Sequence, residues 1–320
     1  MFDEYFHQEI DTSSFTALSE RVKISYLGDL TACNVERIPI TEAYRFTNEF
    51  RCQKPVIFTD CVWSLSNKEV MDELFAKCHP EDVELLISKD NKNFLYNDLC
   101  MKEVCTLRDA LGKLENNEDK LLYLRLYASK FPQIFSSHDA LTINSIVSDH
   151  CINKSNIGLW ISTKGCITPC HFDLCHGLLH QIHGTKTFIL CPPSDASNLY
   201  YKNKQKGSSA INVNNSQTVP VNFYEYLISR SLNSPIRQEY PLVQDCAFFN
   251  ATLNQSDMLY TPPGIFFLFL SIITTLLLLL QIFSLGWFHY VESNTYSISI
   301  LVPFDIDPII DSMPYNIKTL

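Results

Sequence analysis

From Ile157 onward the chain alternates in short runs. "IGLWIST", "CITPCHFDL", "GLLHQIH", "KTFILCPP", "SDMLYTPP", "WFHYVES" and "YSISILVPF" follow one another, with Gly, Pro, Asn and Asp between them. Side chains of a strand point to opposite faces in turn, so each run reads as a β-strand. Many short strands at close spacing predict an antiparallel barrel or sandwich. The first half has a different texture. Thr41 is placed to cap a helix in "EAYRFTNEF", and "KPVIFTDCV" follows as a strand. "SNKEVMDELFAKC" opens with a capping box, Ser66 to Glu69. "DVELLIS" reads as a strand, "TLRDALGKL" as a second capped helix and "KLLYLRLYA" as another strand. The polar stretch from Lys202 to Pro241 reads as a long connection with some helix in "VNFYEYLISR". The pattern divides the chain into an N-terminal helix-and-strand extension, 1–150, packing on a barrel, 151–320. The fold class is therefore mainly β with flanking helices (α+β).

Composition narrows the function. Of 320 residues, 46% are hydrophobic and 19% charged, a globular balance with length for a sizeable core. The formal net charge is −10 with no Lys/Arg cluster. That argues against a nucleic-acid partner, which would need a basic footprint, and suits a basic protein or peptide. The N-terminus "MFDEYFHQEI" has neither the basic nor the apolar region of a signal peptide, which points to the cytoplasm or nucleus. The 12 cysteines are irregularly spaced, so most are expected to be small buried apolar residues rather than disulfide partners.

The chemistry concentrates in "TPCHFDLCHGLLHQIHGTKTFIL", Thr168 to Leu190. His171 and Asp173 are two apart on a predicted strand, so imidazole and carboxylate share a face. A third ligand from another strand would complete a facial triad, and His289 in "WFHYVES" is placed to supply it. Two histidines and one carboxylate bind one face of Fe(II) and leave the other face open, as an oxygenase requires. Cys166, Cys170, His180 and His183 form a rival zinc set, although their spacing matches no common finger. Trp160 and Trp287 read as core aromatics.

Taken together, Thr168-Pro169, His171, Asp173, Gln181, Gly184, Lys186, Pro262-Pro263-Gly264 and His289 resemble the JmjC/cupin-like family of Fe(II)- and 2-oxoglutarate-dependent oxygenases. The similarity is to the small JmjC-only hydroxylase group that includes factor inhibiting HIF. It covers at least Ile157 to Phe304, and "RIPITEAYRFTNEFRCQKPVIFTDC" resembles that group's entry helix and strand. The resemblance implies a double-stranded β-helix (jelly-roll) barrel with His171, Asp173 and His289 as metal ligands. It further implies that Thr168 and Lys186 hold 2-oxoglutarate, Lys186 pairing with the far carboxylate. Hydroxylation of a protein side chain, with O2 as oxidant, is the implied reaction; demethylation of histones and hydroxylation of RNA are weaker alternatives. One position departs: Gly177 stands where many relatives have Asn. Either a hydrogen bond near the co-substrate is missing there or His176 supplies it. A catalytically silent interaction module is the corresponding alternative.

The longest apolar run interrupts this pattern. No charged residue occurs from Ile265 to Phe288, long enough for a membrane span. Yet omitting Ile265 to Gly286 leaves "SDMLYTPPGWFHYVES", a strand, a tight turn and the strand of His289. Lys and Arg are distant on both sides, so no positive-inside signal flanks the run. Its Leu, Ile and Phe codons share U at the second base. Its ends can be encoded as splice boundaries that restore Gly-Trp in frame, so the insert reads as a translated intron. The alternative is a genuine membrane or buried helix, which would give a membrane-anchored oxygenase.

Overall fold

The computed structural model describes residues 21–23, 31–62, 72, 75–76, 81–88, 94, 100–116, 120–132, 143, 146–148, 151–173, 175–201, 217–218, 222–229, 233–263, 267–268, 281–282 and 286–305. The chain opens with β1 (Arg21–Lys23), β2 (Thr31–Asn34) and β3 (Arg37–Pro39). A 3-10 helix at Ile40–Arg45 then runs into helix α1 (Phe46–Glu49). Next come β4 (Val56–Thr59), β5 (Asp82–Ser88), β6 (Cys100–Thr106), helix α2 (Leu107–Glu115) and β7 (Leu122–Tyr127). The barrel strands begin with β8 (Gly158–Ser162), β9 (Ile167–Phe172), β10 (His176–His183) and β11 (Lys186–Cys191). After β12 (Gln217–Thr218) come helices α3 (Phe223–Ile228) and α4 (Pro235–Glu239). β13 (Phe248–Leu253), β14 (Met258–Thr261), β15 (Phe267–Leu268), β16 (Gln281–Ile282), β17 (Phe288–Ser293) and β18 (Ser297–Phe304) complete the order.

Two sheets face each other. One has the order β1-β2-β13-β11-β17-β9-β12 and the other β3-β4-β14-β10-β18-β8-β7-β5-β6. Between them lies a core that takes Phe188, Leu190, Phe249 and Leu253 from the first sheet and Ile57, Leu179 and Leu259 from the second. The outer face of the nine-stranded sheet is covered by Phe46, Phe50 and the apolar stripe of α2. Phe223, Tyr226 and Ile236 cover the outer face of the seven-stranded sheet. Covering both faces explains why all of "KTFILC" in β11 is buried, where a half-exposed strand would alternate. This is the jelly-roll barrel that the family resemblance implies, within the antiparallel barrel or sandwich expected from the strand pattern.

Local sequence accounts for several elements. In α2, Leu107, Ala110, Leu111 and Leu114 recur at helical spacing and are buried. Thr106 caps that helix by accepting from the Asp109 amide, a contact worth about 1 kcal/mol. The turn between β10 and β11 depends on Gly184, at φ 71°. A β-carbon there would lie 2.0 Å from the Tyr296 carbonyl oxygen, so only glycine fits this turn, which carries the chain from one sheet to the other directly ahead of Lys186.

Other expectations are corrected. Thr41 does not cap: the first helical turn begins one residue earlier, at Ile40, with Pro39 as its N-cap and no side-chain bond. Two strands lie outside the predicted set, β13 in "FFNATL" and β6 in "CMKEVCT". The strands of the N-terminal extension continue both sheets, β2 pairing parallel with β13, β4 antiparallel with β14 and β7 with β8. The capping box at Ser66 lies outside the described residues, although Asp72, Phe75 and Ala76 beyond it are helical. The described cysteines are free, most of them buried. Most of the apolar insert also lies outside the described residues. Its two described pieces, β15 and β16, pair as antiparallel strands. Among the described residues no helix is long and apolar enough to cross a membrane.

Candidate metal centre

β9 and β17 are antiparallel neighbours, and His171 stands directly opposite His289. Partners in an antiparallel pair share a face, so both imidazoles enter the barrel side by side. Their ring centroids are 4.2 Å apart and both residues are buried. Asp173 lies one residue past the end of β9 rather than on the strand, and is half-buried. Its carboxylate still reaches the histidines: Oδ1 is 4.0 Å from His171 Nε2 and Oδ2 is 3.7 Å from His289 Nε2. One donor atom from each residue falls within 4.8 Å of the others, and no other such cluster occurs among the described residues.

The second nitrogen of each ring explains the orientation. His171 Nδ1 is 2.7 Å from the Pro169 carbonyl oxygen, and His289 Nδ1 is 3.1 Å from that of Trp287. A carbonyl oxygen only accepts, so Nδ1 carries the proton in both rings and donates it. The Nε2 lone pairs are left facing the Asp173 carboxylate. Burial, and then the neighbouring His289, push the His171 pKa down to about 4, against the opposing pull of Asp173. The ring is therefore neutral near pH 7. Two imidazoles and one carboxylate, aimed at one point inside a barrel, fit a divalent metal of the Fe(II) class.

Thr168 joins this face through an irregularity. Strand alternation alone would put it opposite His171, three residues away. The pairing shifts between His289↔His171 and Val291↔Thr168, so three residues of β9 span two of β17. This bulge contains Pro169, which has no amide hydrogen for the ladder. The result is visible in the packing: Ile167, Cys170 and Phe172 all enter the outer cluster.

Lys186 pairs with Ser293, on the face that carries Leu190 opposite His289. It sits four residues along β11 from the level of His289, about 13 Å at strand rise. The residue is only 1% exposed. Desolvation lowers its pKa from 10.5 to about 7, and no carboxylate is among the groups acting on it. Its strand partner Ser293 carries a hydroxyl. Ser293 Oγ is 2.8 Å from Ser162 Oγ, and the Gln181 amide bridges Ser297 and Ser299 at 2.8 Å each. A buried amine with no carboxylate acting on it suits an anionic group brought from outside, which would favour its charged form. Arg125, unremarked in the sequence, adds positive charge nearby: it lies over the Tyr123 and Trp160 rings and acts on both Lys186 and His171.

Two alternatives are corrected. His176 lies on β10 and points away from the barrel interior. It stacks on Phe304 and meets the Tyr260 hydroxyl at 2.9 Å, so it does not replace a side chain at Gly177. A β-carbon on Gly177 would be 2.8 Å from Thr261 Oγ1, so the Thr261 hydroxyl occupies the space beside this glycine. The zinc set is dispersed. Cys166 packs beside Phe94, Cys170 enters the cluster over the seven-stranded sheet, and His180 shares the face of Leu178 on the opposite sheet.

Residues 43–268 match the sequence profile of the cupin-like domain. The chain is 23% identical over 211 residues to Jumonji C domain-containing protein 5 of Drosophila melanogaster, covering 64% of this chain and 43% of that protein. It is 24% identical over 253 residues to a lysine-specific demethylase of Arabidopsis thaliana, covering 77% and 48%. It is 24% identical over 284 residues to JmjC domain-containing protein A of Dictyostelium discoideum, covering 85% and 96%. The matched stretches thus span less than half the length of the first two relatives and nearly all of the third.

Proposed function

The chain belongs to the cupin-like domain family, in its JmjC-type branch of 2-oxoglutarate-dependent oxygenases, and from that premise we propose that it hydroxylates a side chain of a protein or peptide. The observation that carries the reading is the His171–Asp173–His289 cluster, its two imidazoles buried and both Nδ1–H groups tied to backbone carbonyls. His171, Asp173 and His289 would hold Fe(II). Thr168 and Lys186 would hold 2-oxoglutarate, Lys186 by charge on its far carboxylate. When bound, the metal and co-substrate supply the oxidising chemistry, in which O2 is reduced, 2-oxoglutarate becomes succinate and CO2, and a C–H bond becomes C–OH.

The chain's own residues do the rest. The Pro169 and Trp287 carbonyls keep both Nε2 lone pairs turned inward, so the centre is formed before the metal arrives. Leu179, Leu190 and Leu259 exclude water from the volume between the sheets. The formal charge of −10 suits a basic peptide as substrate. Hydroxylation rather than demethylation follows the resemblance to the small JmjC-only hydroxylase group.

The test is succinate release from 2-oxoglutarate in the presence of Lys- and Arg-rich peptides. Release that needs Fe(II) and is lost in His171→Ala supports the reading; equal release by the variant refutes it. The product mass separates the reactions, since hydroxylation adds one oxygen atom and demethylation liberates formaldehyde.

A further inference from the structure

The apolar insert separates β14 from β17, and so lies just before His289. Both flanks are nevertheless held by one short turn elsewhere in the chain. After α1 the backbone reverses through Phe50 to Lys54, with the Gln53 and Lys54 amides both donating to the Phe50 carbonyl. Cys52 takes the left-handed conformation, φ 59°, in this turn. A residue with a β-carbon meets a cost of about 1 kcal/mol there, so the surroundings must favour it.

They do so from both sides. The Cys52 amide donates to the Tyr260 hydroxyl at 2.9 Å, and Tyr260 is on β14, ahead of the insert. The Gln53 carbonyl accepts from Trp287 Nε1 at 3.2 Å, and Trp287 follows the insert. The Trp287 ring is buried edge-on against Phe249 at 5.3 Å. Its own carbonyl is the acceptor for His289 Nδ1. A continuous path of contacts therefore runs from the turn, through the indole, to the orientation of the imidazole.

We propose that the Phe50–Lys54 turn is a clamp that grips both ends of the apolar insert, and that Gln53 and Trp287 are positioning residues for His289. The clamp makes the place of His289 a property of the turn, whatever the chain does between Gly264 and Gly286. The inference rests on the reading of His289 as a metal ligand.

Co(II) added to the full chain is the probe, followed by its affinity and its visible absorption. Trp287→Phe keeps an aromatic ring and removes the donor. In the folded variant the clamp predicts about 10-fold weaker Co(II) binding with an altered spectrum, the usual scale for a lost orienting partner. Unchanged affinity and spectrum overturn it. Should Trp287→Phe not fold, Cys52 gives an independent pair. Cys52→Gly relieves the left-handed strain and should bind Co(II) within about twofold of the parent chain. Cys52→Val opposes that conformation and should bind several-fold more weakly. Equal binding by the Cys52 pair overturns the clamp. His171→Ala tests the underlying reading separately: if it binds Co(II) as the parent chain does, the metal centre is wrong, whatever the clamp variants show.

Discussion

Two connections bring the candidate site together, and they work by different physics. The β10–β11 turn is local. Gly184 closes it, and the turn passes the chain from one sheet to the other directly ahead of Lys186, which stands opposite Ser293 on β17. The link from β14 to β17 is interrupted by the apolar insert, and His289 is oriented by Trp287, whose indole is held by a turn more than 200 residues earlier in the chain. A ligand placed by a tight turn depends on one residue. A ligand placed by long-range contacts tolerates change in the connection and is sensitive to distant substitutions.

The largest effect should come from the local side. Gly184→Val adds a branched side chain at positive φ against the Tyr296 carbonyl, and should cost 4 kcal/mol or more, on the order of the most disruptive substitutions. Thermal melting would show it; a melting temperature within about 2 °C of the parent would break the contrast.

Lys186→Met should lower 2-oxoglutarate affinity about 100-fold in calorimetric titration, since the far carboxylate loses its counter-charge. The same change should stabilise the ligand-free protein. Burial holds Lys186 near 7 against 10.5 in the unfolded chain, so the unfolded state binds more protons between those values. The cost to folding is therefore full below about pH 7 and fades as pH rises towards 10. The Met variant should melt higher at pH 6, with the gap closing by pH 10.

Removing Ile265 to Gly286 should be milder, leaving Fe(II)-dependent succinate release within about threefold, because connections of a few residues are ordinary between adjacent strands. A loss of activity with the fold intact would mean that the insert itself places His289. The smallest effect is expected for Thr168→Val: a few-fold loss of 2-oxoglutarate affinity, about 1 kcal/mol for one neutral hydrogen bond.

The same contrast governs what the sequence reveals. β8 to β11, β14, β17 and β18 were legible because period-two alternation and turn residues are local signals. His171, Asp173 and His289 were legible because their residue types and strand positions point to one chemistry. The parallel pairing of β2 with β13 has no local signature, and β13 itself went unread. Simple alternation puts Thr168 on the wrong face; the bulge at Pro169 returns it to the face of His171, a shift visible only once β9 is aligned with β17. Neither Arg125 nor the Gln53–Trp287 contact could be found without the tertiary fold, because each acts across strands distant in sequence.

His171 on β9, Asp173 just past its end and His289 beyond the insert are proposed to hold one metal ion together. Mn(II) titration of the full chain, followed by electron paramagnetic resonance, tests it most directly. One tightly held ion per chain is expected, with its loss in His289→Ala as complete as in His171→Ala. Mn(II) bound equally well by His289→Ala would contradict it.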